Sequence, residues 1–220
     1  MQNNIKLILK KNKNFYKDFK KFFKKLKKDY FKKDLLKLHE PVFSKISENI
    51  VKNCIDSTFV SPNGKYNKLF EKKIKDLTKS KYLVSLNSGT SALFVSLKSI
   101  GIKKDDEVLL PSLTFVSTAN SILYNQGVPH FLDVSQETLG IDPLFLEGYL
   151  KKISMRKNNK LFNKKTKRQI KALICVHVFG NSSKILDIKK ICKKYKLILI
   201  EDAAEALNSF YKKKHLGTFG

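Results

Sequence analysis

The chain has 220 residues, 45 Lys and Arg against 19 Asp and Glu, a formal net charge of +26, and 42% hydrophobic residues. That length and apolar content build a core, which excludes a chain disordered throughout, and no apolar run approaches the roughly 18 residues of a membrane span. The charge raises nucleic acid as a partner. Only Arg156 and Arg168 are arginine, however, the residue that bidentate phosphate and base contacts favour, so the lysines read as a solvated surface and no nucleic-acid function is assigned. Cys54, Cys175 and Cys192 lie far apart with no CxxC pair, and "MQNNIKLILKKNKNF" holds no signal-peptide core. Both features suit reduced thiols in a cytoplasmic protein, without a zinc site.

Residues 1–40 form a basic lead. Phe15, Phe19, Phe22, Phe23 and Leu26 fall at helical spacing with lysines on the other face. Such a stripe packs on a neighbouring domain or subunit; an anionic membrane surface is the second reading. Pro41 breaks the lead, a helix is expected over 45–56, a turn around Pro62 and the Asn63-Gly64 pair, and a further helix over 67–79.

From there strands and helices alternate. Strands are expected at 82–86, 106–112, 129–134, 170–180 and 196–202, with helices at 87–102, 114–127, 142–153 and 183–195. Asp142 reads as an N-cap with Pro143 at the first helical position. Residues 154–169 carry only basic charges and make an excursion too long for a plain connection, expected as a small hairpin around "NKKTKR". Strands separated by helices predict an α/β fold with a mainly parallel sheet and right-handed crossovers.

In open parallel sheets, ligands sit at the carboxyl ends of the strands. After the first strand, "NSGTSA" combines Gly89, which lets a ligand approach the backbone, with a helix N-terminus that offers free N–H groups and a positive dipole. It is a plausible phosphate cradle, although Ser-Gly-Thr turns also start ordinary helices. Phe115 opens the next helix above the same edge, as an aromatic plate or as core. His177 ends another strand, and a lone histidine there is usually structural. Asp202 ends the last. A carboxylate at a buried strand end needs a partner, and a cationic ring nitrogen is one; capping of a following helix is the other reading. Cradle, plate and acid on one edge are the parts of a pyridoxal-phosphate site.

The motifs "SLNSGTSALFVSLKSIGI", "DEVLLPSLTFVSTANSILY", "GVPHFLDVSQETLGIDP", "VHVFGNSSKILDIKKICKKY" and "LILIEDAAEALNSFY" resemble, in order and spacing, the pyridoxal-phosphate sugar-nucleotide aminotransferases of the DegT/StrS group. The resemblance runs over about residues 38–220 and implies the large domain of fold type I aminotransferases, with residues 1–37 a basic lead outside it. "LHEPVF" and the connector ending "NKKTKRQIKALICVHVFGN" resemble the branch that makes 4-amino sugars for legionaminic-acid-type nonulosonates.

The resemblance implies pyridoxal 5′-phosphate as cofactor, with Gly89 and Thr90 at its phosphate, Phe115 stacked on its ring and Asp202 at the ring nitrogen. Glu205 stands where many members have Gln or His, near the cofactor or sugar, and Ser61 and Gly64 match a segment close to the sugar nucleotide. His177 belongs to a family motif without an assigned role. The implied reaction moves the amino group of glutamate to the C4 ketone of a nucleotide-activated 4-keto sugar, in a cytoplasmic homodimer. In the family the Schiff-base lysine follows shortly after "GTFG". The resemblance therefore implies no catalytic lysine up to Gly220, no C-terminal domain, and an N-terminal fragment inactive by itself. Two alternatives stay open: a sugar 3-dehydratase relative, with His in place of that lysine, and a non-catalytic basic binding protein on the same fold.

Overall fold

The computed structural model describes residues 13–28 and 41–220, with side chains from residue 17 onward. The rest of the expected lead, the side chain of Phe15 and the start of "LHEPVF" lie outside the described residues. The chain divides into two units, Met1–Val60 and Ser61–Gly220. In the first, helix α1 (Lys13–Leu26) carries the aromatic stripe as the spacing predicts, with the Phe19 and Phe23 rings 4.8 Å apart. Helix α2 (Lys45–Asp56) starts where Ser44 Oγ accepts the Ser47 N–H at 3.3 Å, and none of its residues is buried.

The second unit begins with helix α3 (Lys65–Thr78) and helix α4 (Gly89–Ser99). Strand β1 (Glu107–Pro111), helix α5 (Val116–Tyr124) and strand β2 (Val128–Leu132) follow, then helix α6 (Pro143–Ile153). Asp142 caps α6 through Oδ1, which accepts the Leu144 N–H at 2.9 Å. A hairpin of β3 (Ser154–Lys157) and β4 (Lys160–Asn163) leads into β5 (Ile170–Val176). Helix α7 (Ile185–Tyr195) and strand β6 (Ile198–Asp202) come next, and a short hairpin, β7 (Phe210–Tyr211) with β8 (Lys214–His215), follows.

The sheet is parallel, in the order β2-β1-β5-β6. Side chains alternate across it because successive strand residues point to opposite faces. Leu109, Leu173 and Cys175 join Leu146 and Leu150 of α6 and Ile185 and Ile188 of α7 in one core layer. Val108, Leu110, Ala172 and Ile174 join Leu93 and Leu97 of α4 and Ile122 of α5 in the other. The strand runs read as continuous apolar stretches because both faces are covered. All three cysteines are free, and burial pushes the Cys175 and Cys192 thiols up to about 12. Among the described residues no helix is long and apolar enough to cross a membrane.

Two expectations fail. Residues 82–86 form no strand: Val84 is 77% exposed, and the Ser85 N–H and hydroxyl donate to Glu71 Oε1 at 2.9 and 2.7 Å. The segment has strand composition, but no described strand runs beside it, and a ladder needs a partner. The expected hairpin exists with a different turn. It bends at Asn158 and Asn159, both left-handed at φ 47° and 63°, as a two-residue hairpin turn requires. "NKKTKR" forms the next turn, closed by the Asn163 N–H to Arg168 O bond of 2.9 Å.

Candidate active site

The strand order places a switch point between β1 and β5. From β1 the chain crosses to one side, to β2, and returns on the other, to β5, so the loops at the carboxyl ends of these strands part. A cleft of about 460 Å³ lies there. Its walls are the first turn of α4, the loop after β1, the turn after β5 and the loop after β6. Gly89, Thr90, Phe115, Asp202 and Glu205 all line it. His177 lines it too, with its side chain fully buried. Ser61 and Gly64 do not. They build the turn into α3, where the Gly64 N–H donates to Ser61 O at 2.9 Å and Gly64 is the helix N-cap. None of the chain's many lysines lines the cleft among the described residues.

Asp202 ends β6 and pairs with Val176 of β5. Alternation turns it to the α4–α5 side of the sheet. There its Oδ2 accepts the Thr118 hydroxyl at 3.0 Å, and Thr118 Oγ1 accepts the Thr114 hydroxyl at 2.8 Å. Thr118 is fully buried on α5, so this hydroxyl chain holds the carboxylate from behind. No helix follows Asp202. Its Oδ1 accepts the Ala204 N–H at 3.3 Å in a local turn, so the helix-cap reading does not hold. Also on the lining, Gly89 and Thr90 open α4, and their N–H groups have no acceptor within the helix. A Cβ built on Gly89 meets nothing within 4 Å, so open space adjoins those donors. Phe115 is the N-cap residue of α5 and is 74% exposed, its ring unburied by any other part of the described chain.

Glu201, one residue before Asp202, turns to the opposite face. Its side chain is 2% exposed and accepts four hydrogen bonds: His177 Nε2 and the Gly217 N–H at 3.0 Å each, the Phe219 N–H at 2.5 Å and the Gly220 N–H at 2.6 Å. Burial alone raises a carboxyl pKa, but the His177 bond and the backbone N–H groups of Gly220, Gly217 and Phe219 outweigh it, and the Glu201 pKa lies below its ordinary value. His177 is held from its other side, where Nδ1 accepts the Ser183 N–H at 3.4 Å. It is thus a satisfied structural histidine that orients Glu201.

Glu205 does not stand free in the cleft. Its carboxylate accepts the Phe179 N–H at 2.8 Å. Phe179 lies in a turn of one 3₁₀ unit, Val178–Gly180, with left-handed φ and ψ of 54° and 27°, and it lines the cleft. Thr114, Thr118 and Phe179, and Glu201 as an anchor behind them, are residues that sequence reasoning missed. The threonines had a signal: an i, i+4 pair around the first turn of a helix at a strand's carboxyl end. Glu201 had one too, since an acid next to a strand-end acid must face the other side of the sheet. Nothing in the sequence marked a left-handed Phe179, a conformation that phenylalanine avoids.

The profile of the DegT/DnrJ/EryC1/StrS aminotransferase family matches residues 44–220. The chain belongs to this family. This DegT-family chain is 33% identical over 183 residues to GDP-perosamine synthase of Escherichia coli O157:H7, covering 83% of this chain and 46% of that protein. It is 34% identical over 183 residues to the putative pyridoxal phosphate-dependent aminotransferase EpsN of Bacillus subtilis, covering 83% and 45%. It thus spans less than half the length of these relatives. Among solved structures it is similar to the aminotransferase from Psychrobacter cryohalolentis, with a TM-score of 0.69, 27% identity, and 80% and 41% of the two chains covered. The E. coli GDP-4-keto-6-deoxy-D-mannose-3-dehydratase with bound hydrated PLP gives 0.69 at 24% identity, covering 83% and 44%. Over the shared part the architecture is that of the fold type I aminotransferases, a parallel sheet flanked by helices, as the motifs implied.

Proposed function

We propose that this chain forms the cofactor-binding part of an enzyme that moves the amino group of glutamate to the C4 ketone of a nucleotide-activated 4-keto sugar. The cofactor is pyridoxal 5′-phosphate. The observation that carries the reading is Asp202, a carboxylate braced by Thr118 at 3.0 Å on the lining of a cleft that Phe115 and the N-terminus of α4 also line. A ring cation is the group such an acid suits. When bound, the cofactor supplies an electron sink and a carrier for the amino group.

The residues divide the work of holding it. The N–H groups of Gly89 and Thr90 donate to the phosphate, where the helix dipole adds to their pull and the empty space beside Gly89 admits the group. The exposed Phe115 ring would pack on the cofactor ring and keep water from it. Asp202 holds the proton on the ring nitrogen, and the Thr114–Thr118 hydroxyl chain fixes which carboxylate oxygen faces inward. Since no lysine lines the cleft, no catalytic lysine is assigned among the described residues.

The remainder of the proposal concerns the assembled enzyme. Ser61 and Gly64 approach the sugar nucleotide, the active form is a homodimer in the cytoplasm, and residues 1–37 stand outside the 38–220 cofactor-binding domain. GDP-perosamine synthases among the relatives, at 32% to 33% identity, support a nucleotide-linked amino sugar as product. The "LHEPVF" segment and the basic connector support the narrower placement among enzymes of legionaminic-acid-type sugars.

The test is a titration of the purified chain with pyridoxal 5′-phosphate, followed by cofactor absorbance and fluorescence, for the wild type and Asp202→Asn. A charge-assisted hydrogen bond is worth about 1.5–3 kcal/mol, so the variant binds about 10- to 100-fold more weakly. Its melting temperature hardly moves, because an asparagine oxygen still accepts the Ala204 N–H. Equal affinity of the two proteins overturns the assignment.

A further inference from the structure

The turn after β5 holds a feature that cofactor binding does not account for. Phe179 is the only aromatic residue with left-handed backbone among the described residues, at φ 54°. It is also 72% exposed, so its ring is not placed there by the core. The conformation is imposed from several sides. The Phe179 N–H donates to Glu205 at 2.8 Å, the Gly180 N–H donates to His177 O at 3.1 Å, and Gly180 is itself left-handed at φ 77°. A Cβ on Gly180 would stand 2.9 Å from Glu205 O, so the turn is pressed against the loop after β6. Strain that the surroundings over-determine, at a cleft, points to use of the strained side chain. Glycine would take this backbone without strain. A phenyl ring kept there, in water and against its own backbone preference, has a ligand to meet.

We infer that Phe179 is the substrate-facing wall of the cleft, seating the apolar C–H face of the hexose of a nucleotide sugar, and that Glu205 is the positioning residue that holds it there. The inference rests on the cofactor reading above and assigns the substrate side of the same site. Phe115 and Phe179 come from the loops after β1 and β5, on the two sides of the switch point. With Phe115 committed to the ring of the cofactor, Phe179 is the aromatic surface left for the incoming sugar. Phenylalanine has no polar atom, so it recognises C–H groups and aromatic faces and leaves the sugar hydroxyls to others. Glu205 touches no sugar in this scheme. Its carboxylate is engaged by the Phe179 N–H, and it acts on the substrate only through that turn.

The experiment uses the wild-type chain and Phe179→Gly, Phe179→Leu, Glu205→Gln and Glu205→Ala. Melting temperature and pyridoxal 5′-phosphate affinity are measured first. Affinity for a panel of GDP-, UDP- and dTDP-hexoses is then measured with the cofactor present. Phe179→Gly is expected to melt about 2–4 °C higher, because the strain is gone, to bind the cofactor as the wild type does, and to lose about fivefold or more in affinity for the preferred nucleotide sugar. Phe179→Leu keeps an apolar wall and falls between. Glu205→Gln retains an oxygen for the Phe179 N–H and stays near the wild type, whereas Glu205→Ala loses sugar affinity as Phe179→Gly does. A wild type that does not take pyridoxal phosphate overturns the cofactor reading itself. A wild type that takes the cofactor and no nucleotide sugar overturns this inference alone. So does a Phe179→Gly protein with unchanged sugar affinity. A Phe179→Gly protein that unfolds, or melts lower, shows that the ring serves the fold and equally overturns it.

Discussion

Replacing Glu201 by glutamine tests whether the acid beside Asp202 is a structural anchor. The amide side chain fills the same space and keeps one oxygen. In the wild type Oε1 accepts the Phe219 and Gly220 N–H groups, and Oε2 accepts the Gly217 N–H and His177 Nε2. Whichever way the amide turns, its NH₂ faces two donors with nothing to accept. Each hydrogen bond to a charged group is worth about 1.5–3 kcal/mol, and relaxation recovers part, so the net cost is about 3 kcal/mol. For a chain of this size that lowers the melting temperature by roughly 6–12 °C. Circular dichroism at pH 7 measures it, and amide exchange at Gly217, Phe219 and Gly220 locates it. The pH dependence supplies a second reading. The folded-state pKa of Glu201 lies below its ordinary value of 4.5. Its stabilisation is therefore complete above about 4.5 and is lost as pH falls through the lower folded-state value. The gap between wild type and variant should shrink over that acid range. A melting temperature within about 2 °C of the wild type at pH 7 would refute the anchor.

Thr118→Val removes the hydroxyl behind Asp202 at nearly constant volume. Cofactor affinity should drop severalfold, and an unchanged titration would show that the brace is idle. Gly140→Ala puts a Cβ 2.0 Å from Ser183 Oγ, and Ser183 is fully buried with its hydroxyl bonded to Val176 O. The variant should lose about 1–3 kcal/mol in urea unfolding, with Gly140→Ala/Ser183→Gly recovering part of the loss. Glu107 is pushed up in pKa by burial and pulled further down by its bonds with His130, Thr166 and Asn163, so its net pKa is lowered. Glu107→Gln should therefore flatten the acid side of the stability curve, measured by thermal melts between pH 3 and 7. A curve parallel to the wild type would count against that.

Much of this site was legible because strand ends announce themselves. The apolar runs, the Asp142-Pro143 start and the acid closing "KLILIED" come from local rules of periodicity and capping, and the structure keeps them. Phe115, Asp202 and Glu205 reach one cleft because a parallel sheet delivers its strands' carboxyl ends to the same edge, and Gly89 and Thr90 join them from the first turn of α4. What escaped depends on distance in the chain. The strand expected at 82–86 has the right residues, but pairing is decided by a neighbour that no local pattern supplies. The bond between Glu205 and Phe179 spans 26 positions and that between Thr118 and Asp202 spans 84. Such contacts leave no trace in composition. The Asn158-Asn159 turn was the avoidable miss, since asparagine tolerates the left-handed backbone and the pair sits between short apolar runs.

At the amino-terminal end of β1, away from the cleft, Glu107 is tied to His130 and Asn163, and His130 Nε2 to Tyr149. These residues come from β2, from the hairpin strand β4 and from α6, so the knot fastens the connector and a helix to the sheet without touching a single cleft residue. The molecule is therefore built so that inheritance can tinker at one end without endangering the other. Loops bearing Phe115, Phe179 and Glu205 are free to change while the knot keeps the strands in place. A library randomised at those loop positions should stay largely folded, whereas the same diversity placed at Glu107, His130 and Asn163 should yield mostly aggregates.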